Sequence, residues 1–244
     1  MGRQFWLALA VLGGLLSGVV EARAQALRDW GVVVLPGKAA GGMSSVAAAL
    51  RAGGARVSVP SMSYTSGSYR TYDATLGEVA AAVAHLRAQG ARRIAVVGQS
   101  LGANIALGFG ARRGGANAIV AMAPGHQPDR YLDRTGASLK RAREMLASGR
   151  GSETAGFIDV NQGRAFEVRT TAAAYVSFFD PDGPALIGRN RGNLHGAKLL
   201  WIVGSHDERA RSVARGGKII IVPGGHAAPP RVGGDEIVRW LKTL

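Results

Sequence analysis

Six short apolar runs punctuate the chain: Val32 to Leu35, Arg56 to Val59, Arg93 to Val97, Ala118 to Met122, Lys198 to Val203 and Lys218 to Val222. They are mostly continuous rather than alternating, which is the pattern of strands covered on both faces of a sheet. Helical spacing fills the gaps between them. Leu76, Val79, Val83 and Leu86 share one face, Thr75 and Glu78 have capping-box spacing, and Gly90 can close that helix with a left-handed residue. In the last segment, Asp235 to Leu244, the residues Ile237, Val238 and Leu241 form a stripe behind an acidic first turn, with Asp235 as the expected cap. Strands alternating with helices predict right-handed crossovers and a mainly parallel α/β sheet with helices on both faces.

The interval from Pro124 to Ala197 breaks this rhythm. Ser138 to Leu146 reads as helix, FIDVNQGRAFEV as a hairpin about Asn161-Gln162-Gly163, and Thr171 to Phe179 as helix again. An excursion of this length (124–197) at a strand's end is either a cap over a pocket or a set of ordinary packing helices.

The chain begins with a basic residue, Arg3, an apolar run from Phe5 to Val20, and Ala22-Arg23-Ala24. That is the three-part pattern of a secretory signal peptide cleaved after Ala24, leaving residues 25–244 as a periplasmic or secreted protein. A retained membrane anchor suits the run less well, because it is short for a span and contains Gly13, Gly14, Ser17 and Gly18. The sequence has no cysteine, so stability must come from packing, although the compartment would permit disulfides. The net charge is +14, and the leader takes away only Arg3, Arg23 and Glu21. Such an excess attracts anionic envelope polymers weakly. The arginines are scattered in pairs (Arg92-Arg93, Arg112-Arg113) without interleaved aromatics, so no specific nucleic-acid partner is expected.

The chemistry concentrates where the third run ends. Gly98-Gln99-Ser100-Leu101-Gly102 stands between a strand pattern and a helical one. G-x-S-x-G in that context is a nucleophile elbow, which thrusts the serine oxygen above the sheet edge. A serine hydroxyl needs a base to take its proton, and the base needs an orienting acid. KLLWIV is followed by Gly204-Ser205-His206-Asp207, and KIIIV by Pro223-Gly224-Gly225-His226. Asp207 and His226 therefore each lie just past a strand, on the same edge as Ser100, in the order serine, acid, histidine. Asp180 and Asp182 of FFDPDGP are the rival acids, but they sit in a proline-stiffened turn that precedes a strand.

From about Gly31 to its C-terminus the chain resembles the α/β-hydrolase superfamily, on the serine esterase and lipase side. The resemblance implies that Ser100 attacks a carbonyl carbon, His226 shuttles the proton, and Asp207 orients His226. It implies an oxyanion hole made by the backbone N–H of Leu101 and by the VVVLPGKAAGG segment. There Pro36 occupies a place where histidine is common, so Gly37 or Lys38 supplies the second N–H, Lys38 being favoured. Two strands that often precede the one at Val32 have no counterpart after cleavage, so a shortened sheet of about six strands is expected. The implied activity is hydrolysis of a small-molecule ester or acyl substrate through an acyl-enzyme, with no cofactor and no metal. A serine nucleophile argues against epoxide or haloalkane hydrolysis. A transacylase with the same triad, or a non-catalytic envelope-binding protein on this fold, are the alternatives.

Other residues give weaker leads. His206 has no second ligand at zinc-like spacing and reads as a loop residue. His85 lies among alanines and reads as structural, while His126 and His195, flanking the excursion, are candidates for the pocket lining, with a surface place favoured. GVVVLPGKAAGG is no phosphate loop, since Ala39 follows the lysine where serine or threonine is needed. Ser61 to Tyr72 and the excursion are the expected pocket walls, with Tyr64, Tyr69 and Phe109 as lining candidates.

Overall fold

All six apolar runs become strands of one six-stranded parallel sheet. The computed structural model describes residues 27–39 and 42–244, and the expected signal peptide, residues 1–24, lies outside the described residues. In chain order the strands are β1 (Trp30–Leu35), β2 (Arg56–Ser58), β3 (Arg93–Gln99), β4 (Ala118–Met122), β5 (Thr154–Asn161), β6 (Arg164–Thr171), β7 (Lys198–Gly204) and β8 (Lys218–Val222). The parallel sheet has the order β2-β1-β3-β4-β7-β8, and β5 and β6 pair separately as an antiparallel hairpin. The helices are α1 (Ser44–Ala52), α2 (Tyr72–Ala88), α3 (Leu101–Arg112), α4 (Leu132–Ala147), α5 (Ala172–Phe179), α6 (Ile187–Asn190), α7 (Glu208–Val213) and α8 (Pro229–Leu241).

Strand parity divides the apolar runs between two cores. Val33, Leu35, Ile94, Val96, Ile119 and Trp201 face α2, α3 and the excursion. Val32, Val34, Ala95, Val97, Val120 and Ile202 face α1 and α8. Both parities are buried, which is why the runs do not alternate. The edge strand β8 departs from this rule. Its Ile219 and Ile221 pair in register with Trp201 and Val203, yet they stay exposed at this edge of the sheet.

Three local expectations are corrected. Helix α2 starts one turn early, at Tyr72, with Thr71 as its N-cap accepting from the Ala74 N–H. Thr75 instead donates to the Thr71 carbonyl, and the Glu78 carboxylate accepts from the Ser63 N–H, so neither forms the expected capping box. Helix α8 begins at Pro229 rather than Asp235, because two prolines fit a first turn that needs no donors. Asp235 thus lies within the helix and does not cap it. The Gly233-Gly234 pair within this helix serves packing: a Cβ on Gly233 would lie 2.6 Å from the Met122 methyl, and one on Gly234 would lie 2.8 Å from Ala49 Cβ. At the other end of α2, Gly90 adopts φ +86° and closes the helix as expected.

The excursion packs onto the sheet's first core. Its Phe157, Val168, Tyr175, Phe178 and Phe179 are continuous with the residues of β1, β3 and β7. Tyr175 stacks between Phe157 and Phe179, at 4.6 Å and 4.2 Å between ring centroids. The hairpin turns at Gln162 and Gly163, both with positive φ, as a two-residue primed turn requires.

The close approach of α8 yields a testable contrast. Alanine is favoured over glycine in a helix by about 1 kcal/mol, but overpacking costs roughly 1–3 kcal/mol. Gly234→Ala should therefore lower stability in urea unfolding, because Ala49 is fixed to its own helix backbone. Gly233→Ala should cost less, since the Met122 methyl can swing aside. A stabilised Gly234→Ala would contradict this packing.

Candidate active site

Ser100 follows β3 at the sheet's carboxyl edge, with φ 56° and ψ −117°. A non-glycine residue in that region is strained and persists only where its surroundings enforce it. The flanking glycines show what enforces it. A Cβ on Gly98 would lie 2.0 Å from the Gly102 carbonyl oxygen, and one on Gly102 would lie 2.4 Å from the Pro36 carbonyl oxygen. Strand, turn and helix touch backbone to backbone, so the chain has one path and Ser100 stands at its apex. Gly125 adds a third constraint, since a Cβ there would lie 2.7 Å from Ser100 Oγ.

Parallel strands deliver the partners to the same edge. His226 follows β8 and Asp207 follows β7, and both are brought to Ser100. His226 Nδ1 donates to Asp207 Oδ2 at 2.7 Å, and Ser100 Oγ lies 3.0 Å from His226 Nε2. With the proton on Nδ1 facing the carboxylate, Nε2 is free to accept from the serine hydroxyl. Asp207 also caps α7, its Oδ1 accepting from the Ala210 N–H at 3.1 Å. Burial pushes the Asp207 carboxyl up, but the hydrogen bonds from His226 and Ala210, with the Arg209 charge, outweigh it and hold the carboxyl below its ordinary value. The two loops are stitched together by the His206 N–H donating to the Gly224 carbonyl at 2.9 Å and the Gly224 N–H donating to Ser205 Oγ at 3.2 Å. His206 is thus an exposed loop residue, as expected.

The rival acids are elsewhere. Asp180 follows α5, pairs with Arg143 at 2.9 Å and accepts from the Asp182 N–H. His195 is exposed and lies against the Ala111 carbonyl, and His85 is exposed on α2. His126 takes the less favoured of its two expected places, at the pocket and not at the surface. Ala123 and His126 take positive φ, turning the loop after β4 inward, and His126 is buried edge-on against Phe178 and Phe179. Its Nε2 donates to the Phe178 carbonyl at 2.8 Å. Phe109 is also core rather than pocket, buried on α3.

A cavity of about 260 Å³ lies over Ser100 and His226. Lys38, His126, Gln127 and Tyr131 form its walls, the hairpin tip Val160 to Gln162 roofs it, and Arg209 borders it. The hairpin tip thus borders the cavity while the body of the excursion packs the core. Ser61 to Tyr72 do not line this cavity. Tyr64 and Tyr69 line a separate cleft of about 250 Å³ behind Lys38. The strand order reverses between β1 and β3, and such a switch point opens a crevice at the strands' carboxyl ends. The Pro36–Lys38 loop and Ser100 face each other across it, a Cβ on Gly37 coming 3.2 Å from Ser100 Cβ. Leu101 is the first residue of α3, whose opening N–H groups have no intrahelical partner.

Sequence reasoning missed the Lys38 side chain. Its ammonium is buried and donates to Asp159 Oδ1 at 2.5 Å and to the Val160 carbonyl at 3.0 Å. Asp159 was recoverable in principle, since it shares the inward parity of Ala155 and Phe157 in β5. Its partner, 121 residues away, was not.

Burial first, and then the Lys38 charge, push His126 from 6.5 down to about 4, so the ring is neutral at pH 7. The unfolded chain takes up that proton near pH 6.5, whereas the folded protein does so only near pH 4. Folding stability should accordingly fall as the pH drops through this interval, by about 3 kcal/mol. Asp207 acts in a lower window, its contribution being lost only as the pH falls below its ordinary 3.8. Urea unfolding at a series of pH values should show the upper slope in the native protein and a flatter one in His126→Gln. Equal slopes would refute the buried neutral ring.

The sequence matches the alpha/beta hydrolase family over residues 32–240. Against curated protein sequences the chain has no match. Among solved structures, it is similar to a highly thermostable carboxyl esterase from Bacillus coagulans, with TM-score 0.64 and 14% identity over 87% of this chain and 88% of that one. A monoacylglycerol lipase from Paleococcus ferrophilus has TM-score 0.62 and 15% identity, over 89% of this chain and 95% of that one. A siderophore hydrolase from Aspergillus fumigatus has TM-score 0.57 and 13% identity, over 89% and 91%. At such identities the likeness is one of fold. The sequence match runs from β1 into α8 and takes in Ser100, Asp207 and His226, and on that match the chain belongs to the alpha/beta hydrolase family.

Proposed function

We propose that this protein is an exported serine hydrolase that cleaves small carboxylic esters through an acyl-enzyme. The observation that carries this reading is the unbroken hydrogen-bond chain Ser100–His226–Asp207 opening into a cavity. Ser100 Oγ attacks the ester carbonyl carbon while His226 Nε2 takes its proton, and Asp207 stabilises the imidazolium that forms. The carbonyl oxygen becomes an oxyanion held by the Leu101 and Lys38 backbone N–H groups. His226 then gives the proton to the leaving alcohol, and the C–O bond breaks to leave an acyl-serine. Water repeats the sequence: His226 accepts its proton as the oxygen adds to the acyl carbon, the acyl–Oγ bond breaks with that proton passed back to Ser100, and the carboxylic acid leaves. The ester class draws support from the esterase and lipase among the similar folds. At about 260 Å³ the cavity is smaller than a drug-sized pocket, which favours a short acyl chain.

A fluorophosphonate probe should label the native protein and leave Ser100→Ala unlabelled. Chromogenic acetate and butyrate esters should be turned over faster than long-chain ones, with Ser100→Ala losing at least about 10⁴-fold in kcat. Asp207→Asn should lose about 10⁴-fold in kcat while still capping α7, since asparagine caps as well as aspartate. Labelling that persists in Ser100→Ala would remove Ser100 from its role. No labelling of either form, with binding to anionic envelope extracts, would favour the non-catalytic alternative, and new esters formed from added alcohols would favour a transacylase.

Export belongs to the same proposal and rests on the leader pattern of residues 1–24. The protein recovered from the cell envelope or medium should have an intact mass beginning at Gln25. A mass that retains Met1 to Ala24 would contradict cleavage.

A further inference from the structure

The loop after β1 is tied down by a buried group that takes no part in the reaction above. Lys38 extends its side chain away from its own backbone into the hairpin just below its tip, where Asp159 is 1% exposed. Three groups converge on that carboxylate: the Lys38 ammonium at 2.5 Å, the Tyr69 hydroxyl at 2.8 Å and the Val160 N–H at 2.6 Å. The ammonium has a second acceptor in the Val160 carbonyl and lies 5.7 Å from the centre of the Phe179 ring. Tyr69 is itself tied to the hairpin, its carbonyl accepting from Thr170 Oγ1 at 2.6 Å. A single carboxylate thus joins the loop after β1, the segment before α2, and the strand whose tip roofs the cavity.

We propose that Asp159 is a positioning residue, which acts through the Lys38 side chain to hold the Lys38 backbone N–H where the oxyanion forms. This rests on the oxyanion role given to Lys38 in the hydrolase reading. An oxyanion donor is effective only if it is oriented before charge develops, so whatever fixes the loop contributes to the rate. Gly37 imposes no rotamer of its own, and its approach to Ser100 leaves no room for a side chain there that could anchor the loop. Tyr64 helps from the other side, donating to the Pro36 carbonyl at 2.9 Å. Burial pushes the Lys38 ammonium below its ordinary value, and Asp159 opposes that shift and favours the charged form. The pair is therefore held as a matched set, and removing one partner leaves the other buried and uncompensated.

The experiment must separate positioning from folding. Asp159→Asn strands the Lys38 charge and should lower both the thermal midpoint and kcat. The double variant Lys38→Met/Asp159→Asn removes both charges, keeps the Lys38 backbone and leaves an acceptor for Tyr69. It should recover most of the thermal midpoint, while kcat for a short-chain ester stays about 10²-fold down with KM little changed. Affinity for an alkyl boronic acid, which binds serine as a tetrahedral adduct, should weaken with kcat. Recovery of kcat together with stability would overturn the proposal, because the pair would then be purely structural. If the double variant does not fold, Tyr69→Phe decides: it should lower kcat several-fold at unchanged KM, and native kcat would overturn the proposal. In each case the native protein must lose its ester activity on Ser100→Ala. If it does not, the hydrolase reading fails first and takes this inference with it.

Discussion

Six strands running in one direction put all their carboxyl ends along one edge, and the site depends on that constraint. Ser100, Asp207 and His226 lie far apart in the chain, yet each is one short turn beyond a strand of the same sheet. β4 and β7 separate β3 from β8, so the loops after β7 and β8 must reach back along the edge to bring Asp207 and His226 to the serine. Hydrogen bonds between the Ser205–His206 and Val222–Gly224 backbones hold those two loops together and set the depth at which His226 presents its ring. The strained serine turn is the counterpart on β3. It is kept by backbone contacts at Gly98 and Gly102 that no side chain could enter.

Rigidity continues from the sheet into the cover over the site. The excursion is anchored by aromatic rings belonging to the same core as β1, β3 and β7, so the hairpin tip is held by packing and not by its turn alone. Two sets of polar groups within this apolar cover satisfy one another, while His126 Nδ1 and Gln127 Oε1 are buried with no partner among the described residues. Asn104 accepts from the Tyr72 hydroxyl and donates to the His126 and Ala185 carbonyls, while Asp159 gathers Lys38, Tyr69 and Val160. Such sets fix relative positions more sharply than apolar contact does, because a misplaced partner leaves a buried polar group unpaired.

The central strands were legible because both their faces are buried, and the half-exposed edge strand β8 was legible because its run Ile219 to Val222 is apolar on both parities all the same. β4 and β8 match their predicted bounds, and the others differ by a few residues at their ends. The hairpin was legible from Gly163, and the end of α2 from Gly90. The starts of α2 and α8 were misread because local cues competed with tertiary ones. Thr75 and Glu78 have capping spacing, yet Glu78 is engaged by Ser63 of a different segment. Gly233 and Gly234 have turn composition, yet α1 and the sheet require their smallness inside a helix. A surface place was favoured for His126 over a pocket one because nothing nearby in sequence shows that Phe178 and Phe179 close over it.

The sequence by itself determined the sheet, the family resemblance, and the order of serine, acid and histidine. Each of those is written in short-range patterns: an apolar run, a pair of glycines, a residue just past a strand. Tertiary structure alone decided which segments wall the cavity, that Tyr64 and Tyr69 lie behind Lys38 instead of over Ser100, and that Lys38 meets Asp159. Those facts depend on which side chains converge across more than a hundred residues, and burial in the folded state settles that convergence where local spacing does not.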